Sequence, residues 1–373
     1  MVDLSSQYER IKGELDAAVF NTIHSTAFIN GPEVKQFQTA LEKYLGVKHV
    51  IPCANGTDAL QVALMALDLQ PGDEVITSDF TFAATIEVVH LLGLKSVIVD
   101  VAPGTFNISI PAIEKAITPR TRAIIPVHLF GQCADLEAIL ELGKKHKIPI
   151  IEDTAQAIGA DYTMSDGTKR KAGCFAEIGT TSFFPSKNLG CFGDGGAIFT
   201  NRDDLAEVMR SIVNHGMGKR YYYDRIGVNS RLDTLQAAVL NVKLKYLDEY
   251  CAKRQAAAKF YDDFFGKIKG VKIPVRNKKS THVFHQYTLV IEGIDQFKIQ
   301  EYLHSQGVPM MIYYPVALHS QKAYGAEKYD DKNFPVTNAL CKSVISLPMH
   351  TELDVEQLNH ICNSVKAYLD NNN

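Results

Sequence analysis

The 373-residue sequence lacks an excess of charge of either sign, because 39 Lys and Arg residues nearly balance 42 Asp and Glu residues, for a net charge of −3. This balance excludes the basic field that attracts nucleic acid or an anionic membrane surface. The sequence also lacks an apolar run long enough to cross a bilayer. Its first residues lack the basic and apolar segments of a signal peptide, so we expect none.

Cysteine pairs spaced for metal or redox chemistry are also missing, since no C-x-x-C motif occurs. The odd number and wide spacing of the cysteines predict reduced thiols and argue against a disulfide framework or a zinc site. We therefore expect a cytoplasmic protein without a bound metal. The seven cysteines are Cys53, Cys133, Cys174, Cys191, Cys251, Cys341 and Cys362.

Short apolar runs alternate with helical patterns through the first two-thirds of the chain. This alternation predicts an α/β fold with a mostly parallel, doubly wound sheet that has helices on both faces. Ligands of such folds bind at the carboxyl ends of the strands, where residues 55–57, 78–82, His128 and Asp153 fall. The predicted strands are residues 49–53, 74–77, 96–99, 122–127 and 149–152, and the predicted helices are 8–24, 32–45, 58–67, 82–92, 110–117 and 135–146.

A long helical pattern from Leu232 to about Lys259 predicts a connector between two domains. We expect a large domain over residues 1–245 and a smaller α+β domain over residues 246–373. Within the smaller domain, the pattern favours a strand at residues 286–291 and a helix at residues 295–306. The polar tail at residues 370–373 is expected to fray.

One lysine, Lys187, lies between a hydroxyl-rich strand end at residues 180–182 and a glycine-rich turn at residues 190–196. Upstream, an apolar strand ends in Glu152 and Asp153, which point to opposite faces because strand side chains alternate. A lysine amine and a buried strand-end acid together suit pyridoxal phosphate (PLP). The lysine binds the cofactor covalently, and the acid keeps the pyridine nitrogen protonated. The ordered combination, rather than the lysine alone, carries this prediction.

Two glycine-containing segments each have two interpretations. Residues 55–57 place a glycine and a hydroxyl at a helix start, where free N–H groups and the helix dipole suit a phosphate. An ordinary N-cap is the alternative. The glycines of residues 190–196 precede a strand-like segment at 197–200, whereas a dinucleotide fingerprint requires a helix there. We expect a loop that lets the backbone approach a bound ring, with a simple turn as the alternative.

Many ordered segments of the chain resemble one family. The sequence is similar to the DegT/DnrJ/EryC1/StrS family of nucleotide-sugar aminotransferases, and the resemblance covers nearly the whole chain. It implies a fold type I PLP-dependent transferase that is a homodimer with shared active sites. The matching segments are residues 28–34, 54–60, 71–77, 81–85, 126–132, 151–157, 180–196, 215–216, 227–232 and 314–315.

The resemblance also assigns site residues. It implies that Lys187 carries the cofactor and moves a proton, and that Asp153, not Glu152, pairs with the pyridine nitrogen. Gln156 is expected near the phenolic oxygen of the cofactor, and Phe82 against its ring. The phosphate is expected to contact Gly56, Thr57, Ser182 and, from the neighbouring subunit, Asn229. The substrate is expected near Arg231, Tyr313, Tyr314 and His319.

Two positions depart from the pattern of many relatives. Asp194 stands where they carry glutamate, which we expect to be a mild change. Tyr313 stands where they carry histidine, which is expected to alter the contacts to the sugar. Lys187 itself is retained, whereas dehydratases of the family carry histidine at that position. The resemblance therefore implies a transaminase.

Residues 182–196 and 227–238 are most similar to aminotransferases that act at C3 of UDP-2-acetamido-2-deoxy-3-keto-glucuronic acid in O-antigen synthesis. The resemblance implies transfer of an amine from L-glutamate to that keto carbon. Lys219, Arg220 and Arg225 are candidates to bind the sugar carboxylate. The alternative is amination at C3 or C4 of a dTDP- or UDP-linked keto-6-deoxy sugar.

Three other classes stay open as alternatives. A PLP enzyme that acts on an amino acid usually has a small-domain arginine for the α-carboxylate, and no arginine follows Arg276. A non-catalytic relative that binds PLP or a sugar should have lost Lys187, Asp153 or Gln156, and all three are present. A nicotinamide dehydrogenase is disfavoured by the strand pattern after the glycines.

Overall fold

The computed structural model describes residues 1–372, and regular secondary structure runs through nearly all of this range. The α-helices are α1 (Leu4–Ser25), α2 (Pro32–Leu45), α3 (Gly56–Ala66), α4 (Ala84–Leu91), α5 (Ile110–Ala116), α6 (Leu136–His146), α7 (Asp203–Ile212), α8 (Thr234–Lys243), α9 (Leu247–Phe265), α10 (Gln296–Ser305), α11 (Pro335–Leu340) and α12 (Val355–Asn372). The strands are β1 (His49–Cys53), β2 (Glu74–Ser78), β3 (Lys95–Val99), β4 (Thr121–Ile125), β5 (Ile151–Asp153), β6 (Asp161–Thr163), β7 (Lys169–Lys171), β8 (Ile178–Ser182), β9 (Gly196–Thr200), β10 (Met217–Lys219), β11 (Tyr222–Tyr223), β12 (Val271–Lys272), β13 (Tyr287–Ile291) and β14 (Val344–Leu347).

The central sheet has the strand order β3-β2-β4-β5-β8-β9-β1. Parallel bridges from Ile124 to Ile150 and from Val127 to Asp153 join its two halves between β4 and β5. Strand β9 runs antiparallel to both of its neighbours, and every other strand of the sheet points the same way. The mostly parallel α/β sheet predicted from the alternation is therefore confirmed.

Alternating side chains of the strands pack on opposite faces of this sheet. In β2, Val75 packs with residues of α3 and α4, whereas Ile76 packs with residues of α5 and α6. Because both faces are covered, the strands are apolar at consecutive positions, as expected for buried parallel strands. This two-sided burial makes the sheet doubly wound and leaves the strand ends as the place for a ligand.

Strand β8 is the exception to this apolar pattern, since its residues are glycine, threonine and serine after Ile178, yet all of them are buried. The Thr180 hydroxyl donates to the carbonyl of Glu152, and the Thr181 hydroxyl donates to the carbonyl of Thr154. These bonds satisfy the buried hydroxyls. A polar strand can therefore lie in the centre of the sheet and deliver Ser182 to its end.

The carboxyl-terminal part forms a second, antiparallel sheet of β12, β13 and β14, with α10 and α12 packed nearby. The strand and helix predicted over residues 286–306 are present as β13 and α10. Helix α12 continues through Asn372, so residues 370–372 are helical and their fraying stays a prediction, and Asn373 lies outside the described residues. Within residues 1–372, none of the helices combines the length and apolar character needed to cross a membrane.

The single long helix predicted from Leu232 to Lys259 is instead two helices, α8 and α9, joined by a 3-10 turn at Leu244–Tyr246. The apolar pattern continues through the turn because both helices bury apolar residues. Helix α8 packs on α1 and α2, whereas α9 packs on α12. Helix α9 buries Leu247 with the large sheet and Phe265 with the smaller one. The division at residues 245 and 246 stays a prediction.

Glu152 lies at the end of β5 on the face away from the strand-end cavity, and it is fully buried. Its carboxylate accepts hydrogen bonds of 2.8 Å from the backbone N–H groups of Gly173, Phe175 and Ala176. It also accepts a 3.0 Å bond from Nε2 of His128, whose Nδ1 accepts the N–H of Ala134. The carboxylate thus ties two loops to the back of the sheet.

Replacing Glu152 with Gln is expected to lower the free energy of unfolding by about 1–3 kcal/mol, because an amide nitrogen would then face buried N–H donors. Urea denaturation followed by circular dichroism measures the change. Glu356→Gln, at an exposed position of α12, is the control and should shift stability by less than about 0.5 kcal/mol. Equal stabilities of the two variants would contradict the role given to Glu152.

Candidate active site

A cavity of about 620 Å³ opens at the carboxyl ends of the central strands. It lies between the end of β5, the end of β8, the start of α3 and two segments of the carboxyl-terminal part. Its lining residues are Asn55, Gly56, Thr57, Asp58, Leu60, Thr81, Phe82, Ala84, Thr85, Val127, Asp153, Ala155, Gln156, Ser182, Phe184, Ser186, Lys187, Asp194, His285, Gln286, Tyr313 and Tyr314.

Asp153 ends β5 and faces this cavity, because its side chain alternates with that of Glu152, which lies on the other face of the sheet. Its carboxylate accepts the N–H of Ala155 at 3.0 Å and the hydroxyl of Thr85 at 3.1 Å. Burial raises the pKa of Asp153 above its ordinary value, while these two hydrogen bonds and the charge of Lys187 act in the opposite direction. The strand therefore presents a fixed acid that gains from a cationic partner.

Lys187 follows β8 in a turn that closes with its own N–H on the carbonyl of Phe184 at 2.8 Å. Its side chain lines the cavity together with Asp153. Burial lowers the pKa of Lys187 to about 8, and the charge of Asp153 opposes this shift. An amine with such a pKa is partly neutral near pH 7, so it can act as a nucleophile or a base.

The start of α3 forms one corner of the cavity. Asn55 is the N-cap, and its side chain accepts the N–H of Asp58 at 2.8 Å, which leaves the N–H groups of Gly56 and Thr57 without helical partners. A Cβ on Gly56 would lie 2.6 Å from Cβ of Ser182, so only glycine allows β8 to approach this corner. Residues 55–57 are therefore compatible with both an ordinary N-cap and a phosphate site, because a capped helix start also presents free donors for an anion.

Gln156 and the aromatic residues form the other walls. The Gln156 amide oxygen accepts the N–H of Phe130 at 2.7 Å, and its amide nitrogen donates to the hydroxyl of Tyr314 at 3.2 Å. Phe82 is 59% exposed and presents its ring to the cavity, and Tyr313 is half-buried beside Tyr314. An aromatic face and an amide thus lie on the same void as the acid and the lysine.

Two residues predicted near the substrate, Arg231 and His319, do not line this cavity, and Asn229 was predicted to reach the cavity of the neighbouring subunit. Asn229 is exposed, and Arg231 lines a separate cavity of about 250 Å³. His319 is buried, with Nδ1 2.6 Å from Oδ2 of Asp79 and Nε2 3.0 Å from Oδ1 of Asp331. Both ring nitrogens of His319 therefore have partners outside the cavity, whereas the sequence predicted this residue near the substrate.

The glycines of residues 190–196 also differ from their expected role. A Cβ on Gly190 would lie 2.3 Å from the carbonyl oxygen of Pro185, and one on Gly196 would lie 2.3 Å from that of Asn55. The missing side chains thus let the backbone approach the protein itself, and Gly196 in particular supports the start of α3. None of these glycines lines the cavity of the described chain, and the approach of the loop to a bound ring stays a prediction.

Several cavity residues were missed by the sequence reasoning. Thr85 donates to Asp153, and it lies in a segment from which only Phe82 was selected. The hydroxyl of Thr81 is buried without a hydrogen-bond partner in the described chain. His285 and Gln286 come from the carboxyl-terminal part. The sequence pattern that predicted a strand from Gln286 onward was the only signal that could have indicated His285 and Gln286.

These features fit PLP by chemistry. The free N–H groups of Gly56 and Thr57, with the hydroxyl of Ser182, suit a phosphate group. The buried acid of Asp153 suits a protonated ring nitrogen, and the amine of Lys187, with its lowered pKa, suits a carbonyl.

Curated relatives match over almost the entire length. The chain is 46% identical over 97% of its length, and 98% of the relative's, to the UDP-2-acetamido-2-deoxy-3-oxo-D-glucuronate aminotransferase of Pseudomonas aeruginosa. It is 42% identical, over 99% of the chain and 98% of the relative, to the pleiotropic regulatory protein of Geobacillus stearothermophilus. It is 39% identical, over 99% of the chain and 97% of the relative, to the UDP-N-acetyl-3-dehydro-alpha-D-glucosamine 3-aminotransferase of Acidithiobacillus ferrooxidans.

Solved structures agree with this fold. A DegT DnrJ EryC1 StrS aminotransferase from Brucella abortus superposes with a TM-score of 0.92 at 40% identity, over 98% of each chain. The NtdA protein of Bacillus subtilis, solved with bound cofactor PMP, superposes with a TM-score of 0.88 at 31% identity, over 96% of this chain and 82% of that one.

The family model for DegT/DnrJ/EryC1/StrS aminotransferases matches residues 9–366, which is nearly the whole chain. Together with the acid, the lysine and the anion-binding corner in one cavity, this match settles the class of the protein. The chain belongs to the DegT/DnrJ/EryC1/StrS aminotransferase family and is a PLP-dependent aminotransferase.

Proposed function

We propose that the enzyme transfers an amino group from L-glutamate to the C3 keto carbon of UDP-2-acetamido-2-deoxy-3-keto-glucuronic acid, for surface polysaccharide synthesis such as that of O-antigen. The observation that carries this proposal is the 46% identity with the Pseudomonas aeruginosa relative named for that substrate. The Acidithiobacillus ferrooxidans relative is also named for a UDP-linked sugar and for position 3. A cytoplasmic location accords with seven free, buried cysteines.

Lys187 has the central role in this proposal. PLP supplies an electron sink that stabilises negative charge on the carbon next to the transferred nitrogen. Lys187 would bind the cofactor and, once released from it, would remove a proton from that carbon of the substrate and deliver it to the cofactor. Its pKa of about 8 keeps part of the amine neutral near physiological pH, as a general base requires.

Asp153 would hold the ring nitrogen of the cofactor in this proposal. Its carboxylate, held by Thr85 and the N–H of Ala155, would keep a proton on the pyridine nitrogen. That interaction would be strong because the carboxylate is buried, where opposite charges are less screened than in water. Gly56, Thr57 and Ser182 would hold the phosphate, Phe82 would cover the ring, and Gln156 would contact the phenolic oxygen.

The charge of the cavity supports a homodimer with shared sites. Lys187 is the only lysine or arginine among the cavity-lining residues of the described chain, and it shares the cavity with Asp58, Asp153 and Asp194. Glutamate brings two carboxylates, and the proposed sugar brings a carboxylate and a diphosphate. One subunit therefore lacks the cations that these anions need.

A second copy of the chain would supply these cations in the proposal. The exposed hairpin of β10 and β11 carries Lys219 and Arg220, and Arg225 and Asn229 follow it on the exposed surface. We propose that this segment reaches the neighbouring subunit's cavity, with Asn229 at the phosphate and the basic residues near the substrate. Tyr313 and Tyr314 would contact the sugar from the cavity's own subunit.

Replacing Lys187 with Ala is expected to abolish the visible absorption band that borohydride removes, and to lower turnover by at least about 10³-fold, because attachment and proton transfer are both lost. Spectra of PLP-reconstituted protein and a glutamate half-reaction measure both effects. Lys243→Ala is a matched control, since burial also lowers the pKa of Lys243 to about 8 but this lysine does not line the cavity. A reducible band that survives in Lys187→Ala would refute the assignment.

Mixed subunits test the shared site. Asn229→Ala is expected to weaken PLP binding about tenfold or more, because a hydrogen bond to the phosphate is lost. At limiting PLP, random mixing of Lys187→Ala and Asn229→Ala subunits should restore about a quarter of wild-type activity, since half of the dimers then contain one intact site. Mixing Lys187→Ala with Asp153→Asn is the control and should restore none. Absence of recovery in the first mixture would exclude the shared arrangement.

A substrate panel tests the sugar. With L-glutamate as donor, we expect amination of the UDP-linked 3-keto uronic acid with kcat/KM at least about 100-fold above that for dTDP-linked keto-6-deoxy sugars, because those substrates leave carboxylate-binding groups unpaired. Amine formation is measured by mass spectrometry of the sugar nucleotide. A preference for a 4-keto-6-deoxy sugar would replace the proposed substrate with that alternative.

A further inference from the structure

His319 ties the carboxyl-terminal part of the chain to the end of strand β2. Its backbone N–H donates to Oδ1 of Asp79 at 2.7 Å, and its ring Nδ1 lies 2.6 Å from Oδ2 of the same carboxylate. The N–H of Leu318 also donates to the carbonyl of Asp79, at 3.4 Å. The side chains of Asp79 and His319 are 0% and 1% exposed. Hydrogen bonds to a buried carboxylate are short and directional, so this contact fixes how the two segments lie relative to each other.

Apolar packing supports the same contact. The imidazole of His319 stacks on the ring of Phe334, with centroids 4.1 Å apart and planes inclined by 8°. Leu318 and Phe334 pack with Ile86 of α4 and Ile98 of β3 in one buried cluster. The histidine that the sequence predicted near the substrate is therefore part of a buried contact between the large sheet and the carboxyl-terminal part.

Each partner of this contact adjoins a wall of the cavity. Asp79 begins the segment of residues 79–85, which supplies Phe82 to the cavity. Two further lining residues, the tyrosines at 313–314, shortly precede His319 in the chain. The contact thus joins the segment that carries an aromatic wall of the cofactor site to the segment that carries the tyrosines proposed to contact the sugar.

The tyrosine segment, residues 311–319, is held at both of its ends. At its start, the N–H of Met311 donates to the carbonyl of Ser346 in β14 at 3.1 Å, and the N–H of Ser346 donates back to Met311 at 2.8 Å. At its end, His319 is bound to Asp79. The tyrosines lie between these anchors, so the second anchor affects where their side chains stand in the cavity.

The segment of residues 79–85 is held by bonds that do not involve His319. The N–H of its first residue donates to the carbonyl of Val99 at 2.9 Å, which continues the pairing of β2 with β3. At its other end, the hydroxyl of Thr85 donates to Asp153 at 3.1 Å. Loss of the histidine contact is therefore expected to displace the tyrosine segment and to leave the strand-end acid in place.

We propose that the contact between His319 and Asp79 positions the tyrosines at 313–314 for the sugar substrate. Both are positioning residues, because they act through the tyrosines and do not line the cavity. The inference rests on the proposed function, in which the tyrosines contact the sugar. The contact then serves the sugar half of the reaction and not the glutamate half, since the lysine and the acid belong to the strand ends of the large sheet.

Separate half-reactions of the PLP-bound enzyme test this role. His319→Leu keeps apolar bulk beside Phe334 but removes both ring nitrogens. It is expected to lower kcat/KM for the sugar nucleotide about tenfold, mainly through a higher KM, because displaced side chains bind the substrate less well. The rate with L-glutamate, followed by the visible band of the bound cofactor, should change by less than about twofold. The sugar nucleotide is the one in the substrate panel that the wild-type enzyme aminates best. Equal losses in both half-reactions, or no loss with the sugar, would overturn the proposal.

Conservative variants separate the hydrogen bond from simple packing. In His319→Asn, the amide nitrogen can replace Nδ1 as the donor to Asp79, so at least about half of the wild-type kcat/KM for the sugar should remain. In His319→Gln, the longer side chain reaches toward Asp331 instead, and the variant should behave like His319→Leu. If the Asn and Leu variants lose the same activity, packing alone explains the effect and the proposal is wrong.

A matched control removes the other acid that contacts the same imidazole. Nε2 of His319 lies 3.0 Å from Oδ1 of Asp331, whose side chain is 79% exposed. Because solvent screens such a pair, Asp331→Asn should change kcat/KM for the sugar by less than about twofold. A loss as large as that of His319→Leu would assign the effect to the surface acid and would contradict the role given to Asp79.

Hydrogen exchange of the PLP-bound enzyme measures the displacement directly. His319→Leu should accelerate amide exchange about tenfold in peptides that cover residues 311–319, while peptides that cover residues 79–85 keep their rates. Acceleration in both segments, or in neither, would overturn the proposal. If His319→Leu does not fold, His319→Gln takes its place in both measurements, with the same expected results.

The outcomes separate this inference from the proposed function. If the wild-type enzyme aminates no sugar nucleotide of the panel, the proposed function fails, and hydrogen exchange then decides whether the contact positions the tyrosine segment. If a sugar nucleotide is aminated but His319→Leu matches the wild-type enzyme in both half-reactions, only the present inference fails.

Discussion

Two neighbouring carboxylates at the end of β5 organise the rest of the molecule. Because strand side chains alternate, Glu152 faces the back of the sheet and Asp153 faces the cavity. Buried carboxylates are costly unless they are paired or hydrogen-bonded. Glu152 meets this cost with three backbone N–H groups and His128, and in doing so it fixes the loops around it. Asp153 is left with fewer partners and can serve a ligand.

Strand β5 also explains why β8 is polar. The Thr180 and Thr181 hydroxyls donate to carbonyls of Glu152 and Thr154, so the hydroxyls join the strand to the chain that carries the two acids. Gly179 is required because a Cβ there would lie 2.1 Å from the carbonyl oxygen of Gly173. The loop at residue 173 is also bonded to Glu152. Acid, loop and polar strand therefore form one unit, and that unit sets where Lys187 can emerge.

The parts of the fold that were predictable are those with a local signal. The alternation of apolar runs and helices up to β5 identified the parallel sheet, and the strand end at Asp153 identified one wall of the site. The broken helix at Leu244–Tyr246 was not predictable, because the apolar pattern continues while the packing partner changes. The contact of Thr85 with Asp153, and the arrival of His285, depend on tertiary packing that no local pattern records.

The glycines of the turn at residues 190–196 have structural roles. Gly196 has a structural reason of its own, because a Cβ there would lie 2.3 Å from the carbonyl oxygen of Asn55. This close approach supports the start of α3, where free N–H groups face the cavity. The turn therefore supports a helix start whose free N–H groups suit an anion. The glycines around Lys187 are in this sense structural conditions for the site, and the chemical groups come from strand ends, from the helix start and from the turn that carries Lys187.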